Sequence, residues 1–124
     1  MSDARGTGNQ DVLLELRNVL RQFAADRDWD KFHSPKNLAI ALSVEAAELL
    51  EHFQWLSDTE SADLPAVTRI RVREELADVL LYLIRLADKL DVDLANAAVD
   101  KIQINAAKYP IEKARGTSKK YTEL

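Results

Sequence analysis

The chain has 124 residues and no cysteine, and 17 Lys and Arg against 21 Asp and Glu leave a formal net charge of −4. That balance provides no basic footprint for nucleic acid or an anionic membrane, the missing thiols exclude disulfides and Cys-ligated zinc, and the length is that of one domain. No apolar run is long enough to span a bilayer, and residues 1–10 lack the apolar core of a secretory signal, so a cytoplasmic, membrane-free protein is expected.

In chain order, residues 1–10 are polar with Gly6 and Gly8, have nothing to bury, and read as a disordered leader. From Asp11 to Ala25, Val12, Leu13, Leu16, Val19, Leu20 and Phe23 recur at three- and four-residue steps, the beat of an amphipathic helix. Charges and the aromatics Trp29 and Phe32 then break that period, and Ser34-Pro35 supplies an N-cap and a first helical residue. The second helix is expected from Pro35 to about Leu56, packing through Leu38, Leu42, Leu49 and Phe53. A polar loop, 57–63, leads to Pro65 and a third helix that runs to about Leu90 on Val72, Leu76, Val79, Leu83 and Leu86. Asp93 caps a fourth helix, Leu94 to Tyr109, which Pro110 ends. The tail from Ile111 to Leu124 is basic and, taken alone, flexible. The expectation is therefore an all-α, four-helix single domain over residues 11–110, with a leader before it and a basic tail, 111–124, after it.

Two acidic pairs interrupt these apolar helices: Glu45-Ala46-Ala47-Glu48 on the second and Glu75-Leu76-Ala77-Asp78 on the third. An i, i+3 pair projects from one helical face, so two such helices side by side aim four carboxylates at one small volume. Without cations they would repel one another and resist ionisation; hard divalent metals between them remove the conflict, which points to magnesium. Asp78, inside the nearly unbroken apolar stretch from Leu76 to Leu86, is expected to be buried and to need such a partner. Tyr82 continues the Glu75–Asp78 stripe. On the fourth helix Lys101, Asn105 and Lys108 share a face, for which solvation is the ordinary explanation.

Other chemistries find less support. No GxxxxGK[ST] phosphate loop occurs. His33 and His52 form neither an HExxH nor a Glu-x-x-His pair, which argues against a zinc hydrolase and a ferritin-like di-metal protein. Each histidine reads as a surface or packing residue, with His33, beside the aromatic loop, a candidate for a pocket. A non-catalytic helical oligomer or regulatory partner, its acidic pairs serving only solubility, is the other alternative.

The sequence resembles the all-α nucleoside triphosphate pyrophosphohydrolases of the MazG-like superfamily, in their dCTP pyrophosphatase branch. The likeness rests on Glu45-x-x-Glu48, a spacer and Glu75-x-x-Asp78, joined by Phe23-Ala24-Ala25-Asp26-Arg27-Asp28-Trp29, Phe53-Gln54-Trp55, Asp78-Val79-Leu80-Leu81-Tyr82, Ile104-Asn105 with Tyr109-Pro110, and Lys119-Lys120-Tyr121-Thr122-Glu123-Leu124. It extends over residues 11–124. The resemblance implies Mg²⁺-dependent cleavage of a (deoxy)nucleoside triphosphate, dCTP or a related pyrimidine nucleotide, to the monophosphate and pyrophosphate. By the same likeness Glu45, Glu48, Glu75 and Asp78 bind metal, Glu48 or Glu45 takes the proton of the attacking water, and Glu51 supports them. Lys101, Asn105, Lys108, Lys119 and Lys120 would meet the phosphates and sugar, and Trp29, Phe32, Trp55 and Tyr82 the base. Leu20 departs from the branch, which commonly has histidine there, so strict dCTP preference is not implied. Four helices make a shallow core, and the family likeness adds a homodimer or homotetramer in which a neighbour completes the base pocket.

Overall fold

The structure, a computed structural model, describes residues 12–124 in full and, from Ser2 to Asp11, the backbone alone. The expected leader, residues 1–10, lies outside the fully described residues. Among the described residues all regular structure is helical: α1 (Ser2–Asp26), α2 (Pro35–Glu51), α3 (Asp58–Ser61), α4 (Ala66–Lys89), α5 (Leu94–Lys108) and α6 (Ile111–Ala114), with 3-10 turns at Asp30–Phe32 and Tyr121–Glu123. No helix there is long and apolar enough to cross a membrane. The chain divides into two compact units, residues 1–92 and 93–124.

In the first unit α4 is the central helix, packed mainly on α2 and also on α1. Ala24 of α1, Leu38 of α2, and Ile84 and Ala87 of α4 are the unit's buried apolar side chains among the described residues. Small residues at two of these four positions let the backbones approach closely. The side chains of Arg21 and Asp88 join α1 to α4 through two hydrogen bonds, Nε to Oδ2 at 2.7 Å and Nη2 to Oδ1 at 2.5 Å. Planar guanidinium against carboxylate is a geometry that fixes orientation as well as proximity.

The connection after α1 is built by its own end. Asp28 adopts a left-handed conformation (φ 55°), Trp29 N donates to Ala24 O at 2.9 Å and Asp28 N to Ala25 O at 3.1 Å, the paired bonds of a Schellman cap. Aspartate fills a place usually taken by glycine because its short polar side chain tolerates this region. Ser34 then caps α2, its Oγ accepting from Asn37 N at 3.1 Å, and Pro35 opens the helix as expected from the sequence.

Two boundaries differ from expectation. α2 stops at Glu51, five residues early, and residues 52–55 form turns in which Phe53 N and Gln54 N both bond Leu50 O. No Gly or Pro marks this stop. Ser57 and Glu60 form a reciprocal capping box, Ser57 N to Glu60 Oε1 at 2.9 Å and Glu60 N to Ser57 Oγ at 3.1 Å, which starts the short α3 inside the expected loop.

The larger correction concerns α4. Its Leu76–Leu86 stretch was expected to be enclosed on most sides, yet Leu76 is 54% exposed, Leu80 and Leu83 are exposed too, and so is Asp78. Only α1 and α2 pack on α4 within this unit to any extent, and together they leave a strip of it uncovered.

The second unit holds α5, capped by Asp93 (Oδ1 accepting from Asn96 N at 3.0 Å), and α6 in the tail. Gly116 sits at φ 75°, where only glycine is unstrained, and turns the chain after α6. Tyr109 and Tyr121 then meet edge to face with centroids 6.0 Å apart. Lys108 Nζ from α5 and Lys120 Nζ from the tail stand 4.8 and 5.7 Å from the Tyr121 ring, so one aromatic gathers two cations.

Candidate functional site

The side-by-side packing of α2 and α4 brings three of the four paired carboxylates together. Glu45, Glu48 and Glu75 are half-buried and each offers a carboxylate oxygen, all within 4.8 Å of one another. Asp78, one turn beyond Glu75, is not part of this tight group, though its charge is felt at Glu45. Glu45 Oε2 and Glu75 Oε2 are shut off from solvent and meet no hydrogen-bond donor. The Glu45 carboxyl is pushed up to about 7, first by burial, then by its hydrogen-bonding proximity to Glu75 and Glu48, then by the charges of Glu48 and Asp78.

Shielded acceptors with no donor are costly, roughly 1–3 kcal/mol each and more when charged, unless a cation or a proton meets them. No Lys or Arg forms an ion pair with these carboxylates among the described residues. An all-oxygen donor set of this kind fits a hard divalent cation.

A cavity of about 410 Å³ opens between α1, the Trp29–His33 loop and α4. Leu16, Val19, Leu20, Phe23, Ala24 and Leu81 make most of its wall apolar, Trp29 and Tyr82 supply aromatic surface, and Asp78, His33 and Arg85 are its charged or titratable members. Asp78 thus belongs to the cavity while acting electrostatically on the carboxylate group. The Trp29 ring is set edge to face against Phe23 (5.7 Å) and tilted against His33 (6.1 Å), and its backbone is pinned by the α1 cap. Leu20 lies in the same wall.

Phe32 and Trp55 do not line this cavity; they are 58% and 87% exposed. Lys101, Asn105, Lys108, Lys119 and Lys120 lie in the second unit, where Lys108 and Lys120 meet at Tyr121. Glu51, the last residue of α2, is exposed.

Sequence reasoning overlooked the polar network behind the cavity. Arg85 is only 5% exposed; its Nη2 bonds Asp30 Oδ1, its Nε donates to His33 Nδ1 at 3.1 Å, and its Nη1 lies 3.7 Å from Asp88 Oδ2. Lys89 Nζ adds a 3.1 Å bond to the same Asp30 oxygen. The available signal was Arg85 itself, the lone cation in the run from Val79 to Ala87.

Comparison with known proteins places these features in context. The MazG-like family model matches residues 40–124. Mouse dCTP pyrophosphatase 1 is 45% identical over 115 residues, covering 91% of this chain and 68% of the mouse protein. The human dCTP pyrophosphatase 1 is 46% identical over 115 residues with the same coverage. The crystal structure of a pyrophosphatase from Archaeoglobus fulgidus DSM 4304 superposes with a TM-score of 0.74 at 44% identity, covering 77% of this chain and 90% of that one.

Proposed function

The chain belongs to the MazG-like family, and from that premise we propose that it hydrolyses (deoxy)nucleoside triphosphates, dCTP or a related pyrimidine nucleotide first among them, to the monophosphate and pyrophosphate. The observation that carries this reading is the group of Glu45, Glu48 and Glu75 with two unpartnered oxygens, linked through Asp78 to an aromatic-walled cavity. Cations between carboxylates and a polyanion offset their repulsion, and this arrangement supplies a place for them.

Glu45, Glu48, Glu75 and Asp78 would hold Mg²⁺. Bound there, the metal supplies neutralisation of the triphosphate and a water acidic enough to act as nucleophile. The chain's own residues then divide the remaining tasks. Glu48 accepts the proton of the attacking water, with Glu45 the second candidate. Trp29 and Tyr82 offer flat apolar surface to the base. Lys101, Asn105, Lys108, Lys119 and Lys120 are proposed for the phosphates and sugar, where positive charge favours the leaving pyrophosphate.

We also infer a cytoplasmic homodimer or homotetramer. The uncovered strip of Leu76, Leu80 and Leu83 on α4, with Ile40 and Val44 exposed on α2, supports a subunit interface. Phe32 and Trp55, far out on the surface, would then complete a neighbour's base pocket. The test of the function is a panel of nucleoside triphosphates with Mg²⁺, products resolved as monophosphate plus pyrophosphate against diphosphate plus phosphate. Diphosphate as the product, or no turnover of any triphosphate, would overturn it.

A further inference from the structure

We propose that His33 is the hydrogen-bond donor by which the apolar cavity reads its ligand, and that Arg85 is a positioning residue holding the imidazole in the one tautomer that can do so. The acceptor is a ring carbonyl or ring nitrogen on the edge of a nucleobase; in this the proposal rests on the nucleotide reading above.

The tautomer follows from donor chemistry. Arg85 Nε carries a hydrogen and cannot accept, so the His33 Nδ1 that faces it at 3.1 Å must present its lone pair. A neutral imidazole with Nδ1 unprotonated carries its hydrogen on Nε2. Double protonation is opposed chiefly by burial and next by the positive charge of Arg85, with Lys89 adding to it and Asp30 working the other way.

Arg85 cannot turn away to serve a ligand itself. It is buried, its Nη2 is bound by Asp30, its Nη1 faces Asp88, and Asp88 is held in turn by Arg21. Its role is to fix the ring.

Nε2 lies across the ring from Nδ1, and no hydrogen bond from it to any described residue is formed. His33 is one of the residues of the cavity wall, which is otherwise hydrocarbon and aromatic except for Asp78, Tyr82 and Arg85. Asp78 can only accept when ionised, Arg85 is engaged, and the Tyr82 hydroxyl can rotate and either donate or accept, so for a ring lying against Trp29 His33 is the neutral donor of fixed direction. In an apolar cavity one placed donor discriminates strongly, because a ligand edge without an acceptor leaves it unpaired.

The test uses the full chain with Mg²⁺, dCTP as the base-bearing probe and inorganic triphosphate as the probe without a base. In His33→Leu and His33→Asn, KM for dCTP should rise roughly three- to tenfold, the worth of one neutral hydrogen bond, and by more than kcat falls. His33→Gln, whose amide nitrogen reaches near the place of Nε2, should restore most of the loss. Inhibition by inorganic triphosphate should not change in any of them. Independently, imidazole ¹⁵N spectra of the substrate-free protein should show His33 neutral and protonated on Nε2, and Arg85→Lys should let the tautomers mix.

A proton on Nδ1 in the wild type overturns the proposal, as does an unaltered KM in His33→Leu. Triphosphate inhibition weakening in step with KM would mark His33 as a structural residue and also overturn it. Normal wild-type hydrolysis with an unaltered KM in His33→Leu removes this proposal alone; a wild type that hydrolyses no triphosphate removes the functional reading and this proposal together.

Discussion

Glu45 on α2 and Glu75 on α4 bring carboxylate oxygens within 4.8 Å of each other across the helix pair, and the Oε2 of each is hidden from water without a donor. A folded chain keeps such a pair only if something offsets the repulsion. Replacing Glu45 or Glu75 with glutamine should therefore raise the melting temperature of the metal-free protein by a few degrees while lowering turnover at least about a hundredfold, the scale of losing a group that works directly on the reacting water. Thermal unfolding with and without Mg²⁺, beside steady-state kinetics, checks both halves. Near-normal rates in both variants would show that the carboxylate group is not the site.

The raised Glu45 pKa carries its own pH dependence. A carboxyl that holds its proton more tightly folded than unfolded favours the folded state most at low pH, below its unfolded value near 4.5. That contribution fades as pH rises through about 7, where the folded group also ionises. Metal-free protein should thus lose stability between these limits, while Mg²⁺ affinity rises over the same interval because the cation displaces the proton. Melting curves and calorimetric titrations across that range measure the two trends. Flat stability in the wild type, or the same slope in Glu45→Gln, would sink the assignment.

Bond choice is decided by isotope. Attack at the α-phosphorus in ¹⁸O-water puts the label in the nucleoside monophosphate and leaves pyrophosphate unlabelled. Mass spectrometry of the products reads this directly. Label in pyrophosphate would move the attack to the β-phosphorus.

Trp29 has a backbone locked by the Ala24 carbonyl and a ring that forms part of the cavity wall, so Trp29→Ala should keep the fold and remove only the stacking surface. Stacking is worth roughly 1–3 kcal/mol per base, which predicts about ten- to a hundredfold weaker dCTP binding. Metal binding should persist. Unfolding of Trp29→Ala would instead make the ring a core residue.

Leu20 sits in the same wall, where an imidazole would add a polar contact. Leu20→His should sharpen the ratio of kcat/KM for dCTP over dTTP and dUTP. Unchanged ratios would exclude that position from specificity.

Much of this protein was legible in its sequence, because helix periodicity and capping are local properties. The apolar beat located α1, α2 and α4, Ser34-Pro35 started α2, Asp93 and Pro110 bracketed α5, and the i, i+3 spacing put Glu45 with Glu48, and Glu75 with Asp78, each pair on one face. Local signals also have a limit, seen where α2 ends at Glu51 without a Gly or Pro and the capping box of Ser57 and Glu60 takes over. What only tertiary structure decided was which side chains share a space. Packing of α4 on α2 closed Glu45, Glu48 and Glu75 into one group yet left Asp78 exposed, since burial depends on the number of helices that cover a face and not on the apolarity of the run. The same packing set Arg85 against Asp30 and His33, residues more than fifty positions away, and no periodicity could announce that contact.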